Sequence, residues 1–509
     1  MVPTLTLTMD FEETSSNIAT KEFQAVLLAG FGNELVPLTS NHGEEPCPKA
    51  LLPIANKPML DYPLAWLEAS GIRDVLVICP APHRASISHY INSDSSASSF
   101  PSLRIDLQAY DESENDTAGT CQILRHFANR IEQDFLLLPC DFIPPPTLTL
   151  SSVLNKFRTE STYDGAIATT LFFEQSKPDK ANSLEEWGSG PSTTSVVWDE
   201  KTRTLLHIDT LDQVDDDPEE MVLDMNLLRR YPRAKLSANL QDAHVYLFRK
   251  SVLDVLKEKT RFDSIREDFI PWLCTPQYHP RKRNKYGRIL NPLNNVPSQT
   301  TALEHSTLHS DILSAYDIPE ETRPESAISS PVDDFGHTET SSLRVGVVVH
   351  RAASGYTARA NTLHTYIELN RHFLSHTTYS LPKDPESRAL IDPKAQISTD
   401  SMVGHTTKVG ERTTIKKSVI GKHCVIGKYV KITGCVILDH CVIADGAKLE
   451  GCILGTSTTI GSKAELSKCV TQGGYEVGDG ENSKNERLEV SDWTAAQNDD
   501  SSEEDSDEE

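Results

Sequence analysis

Two glycines, one lysine and two carboxylates are the residues of this chain whose types and spacing could handle a phosphate. Gly30 and Gly32 follow the apolar run Ala25–Leu28 in FQAVLLAGFGNEL. A buried strand that ends in a glycine turn lets the backbone approach a phosphate and aim its N–H groups at it. Glu34 lies two residues further on, Lys49 sits in PKALLP at Pro48–Pro53, and Asp141 follows the apolar stretch Phe135–Leu138. Gly-x-Gly alone is a weak signal. The ordered string that adds Pro37-Leu38-Thr39, Pro48-Lys49 and Lys57-Pro58-Met59-Leu60 is a strong one. One carboxylate does not make a metal site, and a strand-end aspartate serves as well to cap the next turn.

The elements that must position these residues follow a strand–helix rhythm. After the glycine loop, Pro58–Gly71 reads as a helix and Asp74–Cys79 as a buried strand; a strand at Leu103–Leu107, a helix over Asp116–Ala128 and the strand Phe135–Leu138 follow. This predicts an α/β, doubly wound (Rossmann-type) domain with a parallel sheet. Ligands on such sheets sit at the carboxyl ends of the strands, where the glycine loop and Asp141 both fall. Gly165–Phe173 and Ala243–Phe248 read as later strands, Ser251–Leu256 and Ser264–Leu273 as helices, and the domain spans 21–290, closing near Leu290.

Residues 1–20 read as a flexible acidic lead-in. From 291 to 341 Pro, Ser, Thr, Asp and Glu dominate without periodicity, which predicts a disordered insertion. A strand at Leu343–His350 and a helix over Ala358–Leu374 form a connector, 342–385.

From Ile391 an apolar residue recurs every six positions, with one residue dropped in every three steps. The resulting coil of 17 stacks Val403, Ile420, Ile437 and Leu454 in one column. Hexapeptide repeats of this kind form a left-handed parallel β-helix, here over 386–475, in which glycines such as Gly404, Gly421 and Gly455 are read as corner residues. Cys435, Cys452 and Cys469 share the 17-residue interval, as do Cys424 and Cys441, which predicts stacked buried thiols rather than a zinc site. Residues 476–509, with 14 acidic and 2 basic residues, read as a disordered acidic tail.

Net charge is −25, and the tail carries nearly half of it, so no broad basic surface for nucleic acid is indicated. The one short basic cluster, Arg281–Lys285, reads as a solvated loop. No apolar run of about 18 residues is present to span a membrane, and ten cysteines without a CxxC pair fit reduced thiols in the cytosol.

The string from Phe23 to Leu60 resembles the signature of sugar-phosphate nucleotidyltransferases. In that family glycine amides, a loop arginine, the lysine of the Pro-Lys pair and an aspartate-bound magnesium neutralise charge around the transferred phosphorus. The resemblance implies that Gly30, Gly32 and Lys49 are retained and that Asp141 matches the magnesium aspartate. Ala29 stands at the first loop glycine, Asn33 at the threonine and Glu34 at the arginine. Asp242, in NLQDAHVYLF, is a poor match for the second metal carboxylate. One unit pair at about 4 Å and an effective dielectric of 20 is worth ~4 kcal/mol, so reversing its sign swings the balance by roughly 8 kcal/mol. Half of that is about a thousandfold in rate. The loop therefore reads as a relic, with no catalytic residue, cofactor or metal expected.

The opening FQAVLLAG, QDAHVY at Gln241–Tyr246 and RANTLHTYIELNR at Arg359–Arg371, joined to a β-helix, together resemble the gamma subunits of the guanine-nucleotide exchange factor for eukaryotic translation initiation factor 2. The resemblance implies a cytosolic regulatory and structural subunit. Its partners would be the catalytic epsilon subunit, the alpha, beta and delta subunits of a decamer, and initiation factor 2 as substrate, with no direct nucleic acid and no membrane. The sister epsilon subunits add a C-terminal helical domain, whereas this chain ends in NDDSSEEDSDEE. The competing readings are a sugar-phosphate nucleotidyltransferase (NDP-sugar pyrophosphorylase) or its inactive regulatory subunit. A hexapeptide acyltransferase would need a catalytic histidine from among His405, His423 and His440.

Overall fold

The structure, a computed structural model, describes residues 22–41, 46–93, 100–111, 119–175, 194–209, 223–290, 343–376, 382 and 384–489. The lead-in, the insertion and the last twenty residues of the tail lie outside the described residues.

Among the described residues ten strands form one sheet. In chain order they are β1 Phe23–Leu28, β2 Asp74–Pro80, β3 Arg104–Tyr110, β4 Asp134–Pro139, β5 Ala166–Glu174, β6 Val196–Asp199, β7 Thr204–Ile208, β8 Ala234–Ser237, β9 Leu240–Phe248 and β10 Arg344–His350. Their order across the sheet is β8-β6-β7-β10-β5-β9-β4-β1-β2-β3. The half β4-β1-β2-β3 is parallel, as the strand–helix rhythm predicts. Beyond β4 the sheet is mixed: β9 runs antiparallel to both β4 and β5, and β10 runs parallel to β5. Alternate side chains of the central strands feed two cores. Val26, Leu76, Phe135 and Leu137 face one layer of helices, and Ala25, Leu27, Val75, Leu136 and Leu138 face the other.

Two expectations are corrected here. The domain does not close at Leu290, because β10, on the far side of the insertion, lies inside the sheet between β7 and β5. Apolar runs show that a strand is buried but not which sheet takes it. The basic run Arg281–Lys285 is not a loop but lies in a helix, Pro280–Leu290, whose Tyr286 and Leu290 are buried.

The repeat folds into three parallel sheets, of six, six and five strands. The 17-residue register holds: Val403 pairs with Ile420, Ile420 with Ile437 and Ile437 with Leu454. The five cysteines of the two columns are buried free thiols. Coils continue past the expected end at residue 475, with strands at Glu476–Val477, Asn482–Lys484 and Arg487–Leu488. The expected tail thus begins with one further coil. Its apolar beat was masked because Thr471 and Ser483 occupy interior positions in register with Leu488 and Leu466.

Gly434, Gly446 and Gly451 do take left-handed corners, but the glycines read as corner residues work differently from the expectation. Most other left-handed corners are taken by residues such as His423, Tyr429, His440 and Lys463, all with positive φ. Gly404, Gly421 and Gly455 instead lie where a Cβ would strike the next coil, for Gly421 at 2.4 Å from Asp439 Oδ1 and 2.7 Å from the Leu438 carbonyl carbon.

Candidate functional site

β1 and β4 are neighbours, so the chain leaving each emerges at the same edge of the sheet. After β1, Ala29 N–H donates to Ile78 O and the chain turns through Gly30 and Gly32. Gly32 has φ +85°, and a Cβ on it would lie 2.9 Å from Lys49 Cβ, so glycine here makes room for the lysine stem. Gly30 is exposed, with no atom within 4 Å of where its Cβ would lie. Asn33 and Glu34 are exposed on a short 3-10 turn, and the Glu34 side chain forms no ion pair among the described residues.

Lys49 is buried and reaches the chain that leaves β4. Its Nζ donates to Asp141 Oδ2 and to Asn361 Oδ1, each at 2.5 Å. Asp141 is buried, and the Arg359 guanidinium grips it from a second side. Nε donates to Oδ1 at 3.0 Å and Nη2 to Oδ2 at 2.9 Å. Burial alone would raise the Asp141 pKa, but the charges of Arg359 and Lys49 and their hydrogen bonds outweigh it and hold the carboxyl well below its usual range.

Arg359 arrives on a short strand, Ala358–Arg359, paired antiparallel with Phe142–Ile143, and Ala360 N–H donates to Asp141 O at 2.9 Å. Sequence reasoning missed Arg359 and Asn361 as site residues. The stretch that contains them was prominent, but nothing local connects it to an aspartate 218 positions earlier.

Asp242 is buried close enough to feel the charges of Arg266 and Arg359, yet its oxygens are taken by its own strand. It accepts from Tyr246 Oη at 2.5 Å and from His244 N–H at 2.8 Å, at an irregularity of β9 where His244 has positive φ. Burial raises its pKa.

The structure therefore joins Lys49 and Asp141, uses Gly32 as their spacer and leaves Gly30 and Glu34 exposed. Both cations are already committed to Asp141. A phosphate recruiting Lys49, or a divalent cation recruiting Asp141, would have to break these charge-assisted bonds. Among the described residues no group of three or more His, Cys, Asp or Glu side chains is arranged to hold a metal ion. The β-helix histidines His405, His423 and His440 are exposed, and the rings of His423 and His440 stack at 5.0 Å.

The site is coupled to the β-helix through the helix Leu363–His376. Thr362 and Thr365 bond each other's backbone at its start. Its Tyr366 Oη donates to Pro53 O at 2.6 Å, and Asn370 Oδ1 accepts from Ala55 N–H at 2.9 Å. One apolar cluster gathers Leu52, Ile54, Met59, Tyr366 and Leu369 with Met402, Val419, Val436, Ile453 and Val470 of the β-helix. Asn56 Nδ2 donates to Ile420 O and Gln472 Nε2 to Asn41 O across the same junction. Among the described residues no helix is long and apolar enough to cross a membrane.

Comparison with known proteins gives two family matches. Residues 24–181 match the nucleotidyl transferase family and residues 385–482 match the EIF2B subunit epsilon LbH domain. Translation initiation factor eIF2B subunit gamma of Schizosaccharomyces pombe is 32% identical over 404 residues, 78% of this chain and 72% of that one. The gamma subunit of Dictyostelium discoideum is 25% identical over 433 residues, 78% of this chain and 87% of that one. The epsilon subunit of the same organism is 26% identical over 268 residues, 52% of this chain and 34% of that one.

Proposed function

The chain belongs to the family of eIF2B gamma subunits, and from that premise we propose that it is a non-catalytic regulatory and structural subunit of the exchange complex. In this reading it pairs in the cytosol with an epsilon subunit that supplies the exchange chemistry. Through the alpha, beta and delta subunits it supports exchange on initiation factor 2. The observation that carries the non-catalytic reading is the closure of the cleft by the chain's own charges. Asp141 is held by Arg359 and Lys49, while the loop presents Glu34 where a phosphate-binding cation would be needed.

Activity is tested by pyrophosphate release from GTP, ATP, CTP or UTP with sugar 1-phosphates and magnesium. Turnover no higher than that of a Lys49→Ala control is expected; higher turnover would favour the sugar-phosphate nucleotidyltransferase reading. Assembly is tested by native mass spectrometry of the chain purified from its own cytosol. An epsilon-type partner in the recovered complex is expected, and a lone chain or homo-oligomer would count against the proposal.

A further inference from the structure

The helix Pro280–Leu290 carries the basic run of the sequence, and packing brings part of it against two more cations. Lys259 Nζ lies 5.2 Å from the centre of the Tyr286 ring and 5.6 Å from that of Trp272. Lys285 Nζ lies 5.2 Å from the same Tyr286 ring. Trp272 and Tyr286 meet edge to face at 5.1 Å. Arg261 sits over Phe262 at 5.6 Å, and Phe262 packs on Trp272. Lys282 belongs to the same group: burial first, then the charge of Lys259, lowers its pKa, with Arg261 adding to the effect. A hydrogen bond from Lys259 leads the lowering of the Tyr286 phenol pKa. Arg283 differs, because its guanidinium is spent on the carbonyls of Pro276 and Gln277.

Three of these cations, Lys259, Arg261 and Lys285, lie over an aromatic wall, and Lys282, whose Nζ donates to Thr275 Oγ1 at 3.1 Å, is close enough to feel the charge of Lys259. Among the described residues none of Lys259, Arg261, Lys282 and Lys285 forms an ion pair. Asp224, whose charge acts on Lys282, is bonded to His279 at 2.7 Å. Such a grouping is unexpected in a chain of net charge −25. Cation–π contact stabilises an exposed cation only weakly and does not remove the mutual repulsion of the group.

The chemistry favours a short acidic peptide over nucleic acid. A nucleic-acid backbone needs a run of phosphate contacts along a broad basic surface, and this cluster is small and set in an acidic protein. A peptide needs only a few carboxylates in register with a few cations. The chain carries one: residues 499–509 hold eight acidic residues in eleven and no basic one. The nine residues 490–498 that lead to this segment reach about 30 Å when extended, and the segment itself about 36 Å more.

We propose that this aromatic-walled cluster of Lys259, Arg261, Lys282 and Lys285 is a docking site for an acidic peptide, and that its occupant is the chain's own segment 499–509. Docked there, the segment neutralises the cluster and blocks it against acidic segments of other proteins.

The test is binding of a labelled peptide of sequence 499–509, read by fluorescence anisotropy at 50 mM and 300 mM salt. A chain ending at Asn498, which keeps every described residue, should bind it at least tenfold more tightly than the full chain, whose site is already filled. Binding should weaken at the higher salt. Lys259→Glu/Lys285→Glu in the shortened chain should abolish it. Lys259→Gln/Lys285→Gln, which keeps stems of similar length, should weaken it by about tenfold even if the charge reversal disturbs folding. Equal binding by the full and shortened chains would overturn the assignment of the occupant. Undiminished binding by the glutamine variant, or by a peptide with Asn and Gln in place of Asp and Glu, would overturn the site. Tighter binding of a single-stranded RNA oligonucleotide than of the peptide would reassign the cluster to nucleic acid.

Discussion

At the scale of single residues, the informative feature is that two cations share one carboxylate. The Asp141 side chain is 1% exposed and that of Arg359 18%, so desolvation has been offset by geometry that fills both oxygens. Removing the carboxylate leaves both cations uncompensated, at a cost of about 3–5 kcal/mol, whereas removing Arg359 leaves Lys49 on Asp141. We expect Asp141→Asn to lower the unfolding free energy measured in urea by an amount of that order, and Arg359→Met to lower it by less. The double variant should be at least about 2 kcal/mol more stable than the sum of the two, and strict additivity would show that the pair is not coupled. The two halves of this site were unequally legible in the sequence. Lys49 and Asp141 stood out because each belongs to a local string, whereas Arg359 did not, since only the return of the chain after the insertion brings it there. A second residue-scale prediction concerns Lys156, whose Nζ bonds Val347 O and pairs with Glu160 at 3.2 Å. Burial, only partly opposed by Glu160, pushes its pKa down to about 8. The folded protein then releases this proton before the unfolded chain does, near 10.4. Stability should therefore rise between about pH 8 and pH 10.4, by up to roughly 3 kcal/mol. Urea midpoints of the wild type and Lys156→Met, compared at pH 7.5 and pH 10, check this: a gap that does not change with pH rejects it.

At the scale of elements, the β-helix was the most legible part of the chain, because a 17-residue repeat writes its register directly into the sequence. Its end was not legible, since Thr471 and Ser483 interrupt the apolar beat without interrupting the coil. The physical role of its glycines was not legible either, because close approach and left-handed turning both select glycine and only coordinates separate them. Ile437 lies inside the coil stack, between Ile420 and Leu454. Ile437→Asp would bury an unpaired carboxylate there, at a cost of several kcal/mol. We expect limited proteolysis to degrade the β-helix while the sheet domain, with cores of its own, survives. Asp439 is unsuitable as a neutral control, because its Oδ1 accepts from Lys422 N–H at 2.6 Å. Exposed Lys431 suits that purpose, and Lys431→Ala should leave the digest unchanged. A wild-type digest from Ile437→Asp would show that the interior column is not needed for stability.

At the scale of the whole molecule, one returning segment serves three structures in turn. β10 completes the middle of the sheet, Arg359 grips Asp141, and the helix Leu363–His376 packs between sheet domain and β-helix. In sequence this segment reads as a connector between finished domains, because its strand and helix are ordinary ones and their partners are distant in the chain. The outward column Met402, Val419, Val436, Ile453 and Val470 repeats every 17 residues and is buried against that helix and the Pro53–Met59 stretch. Val436 and Ile437 are thus neighbours with opposite duties, one docking the β-helix and the other holding it together. Val436→Asp should leave the coils folded, because the side chain lies outside the stack, but should part the two domains by placing a charge in the junction. The expected signature is β-helix hydrogen-exchange protection close to wild type, together with a larger radius of gyration in small-angle scattering and new cleavage between residues 376 and 384. If the gamma-type role requires both domains to face one partner, epsilon binding should fall in parallel with that expansion. An unchanged radius of gyration would mean that the polar bridges from Asn56 and Gln472 hold the junction without the apolar column. Loss of β-helix protection would mean that coil and junction fold as one unit.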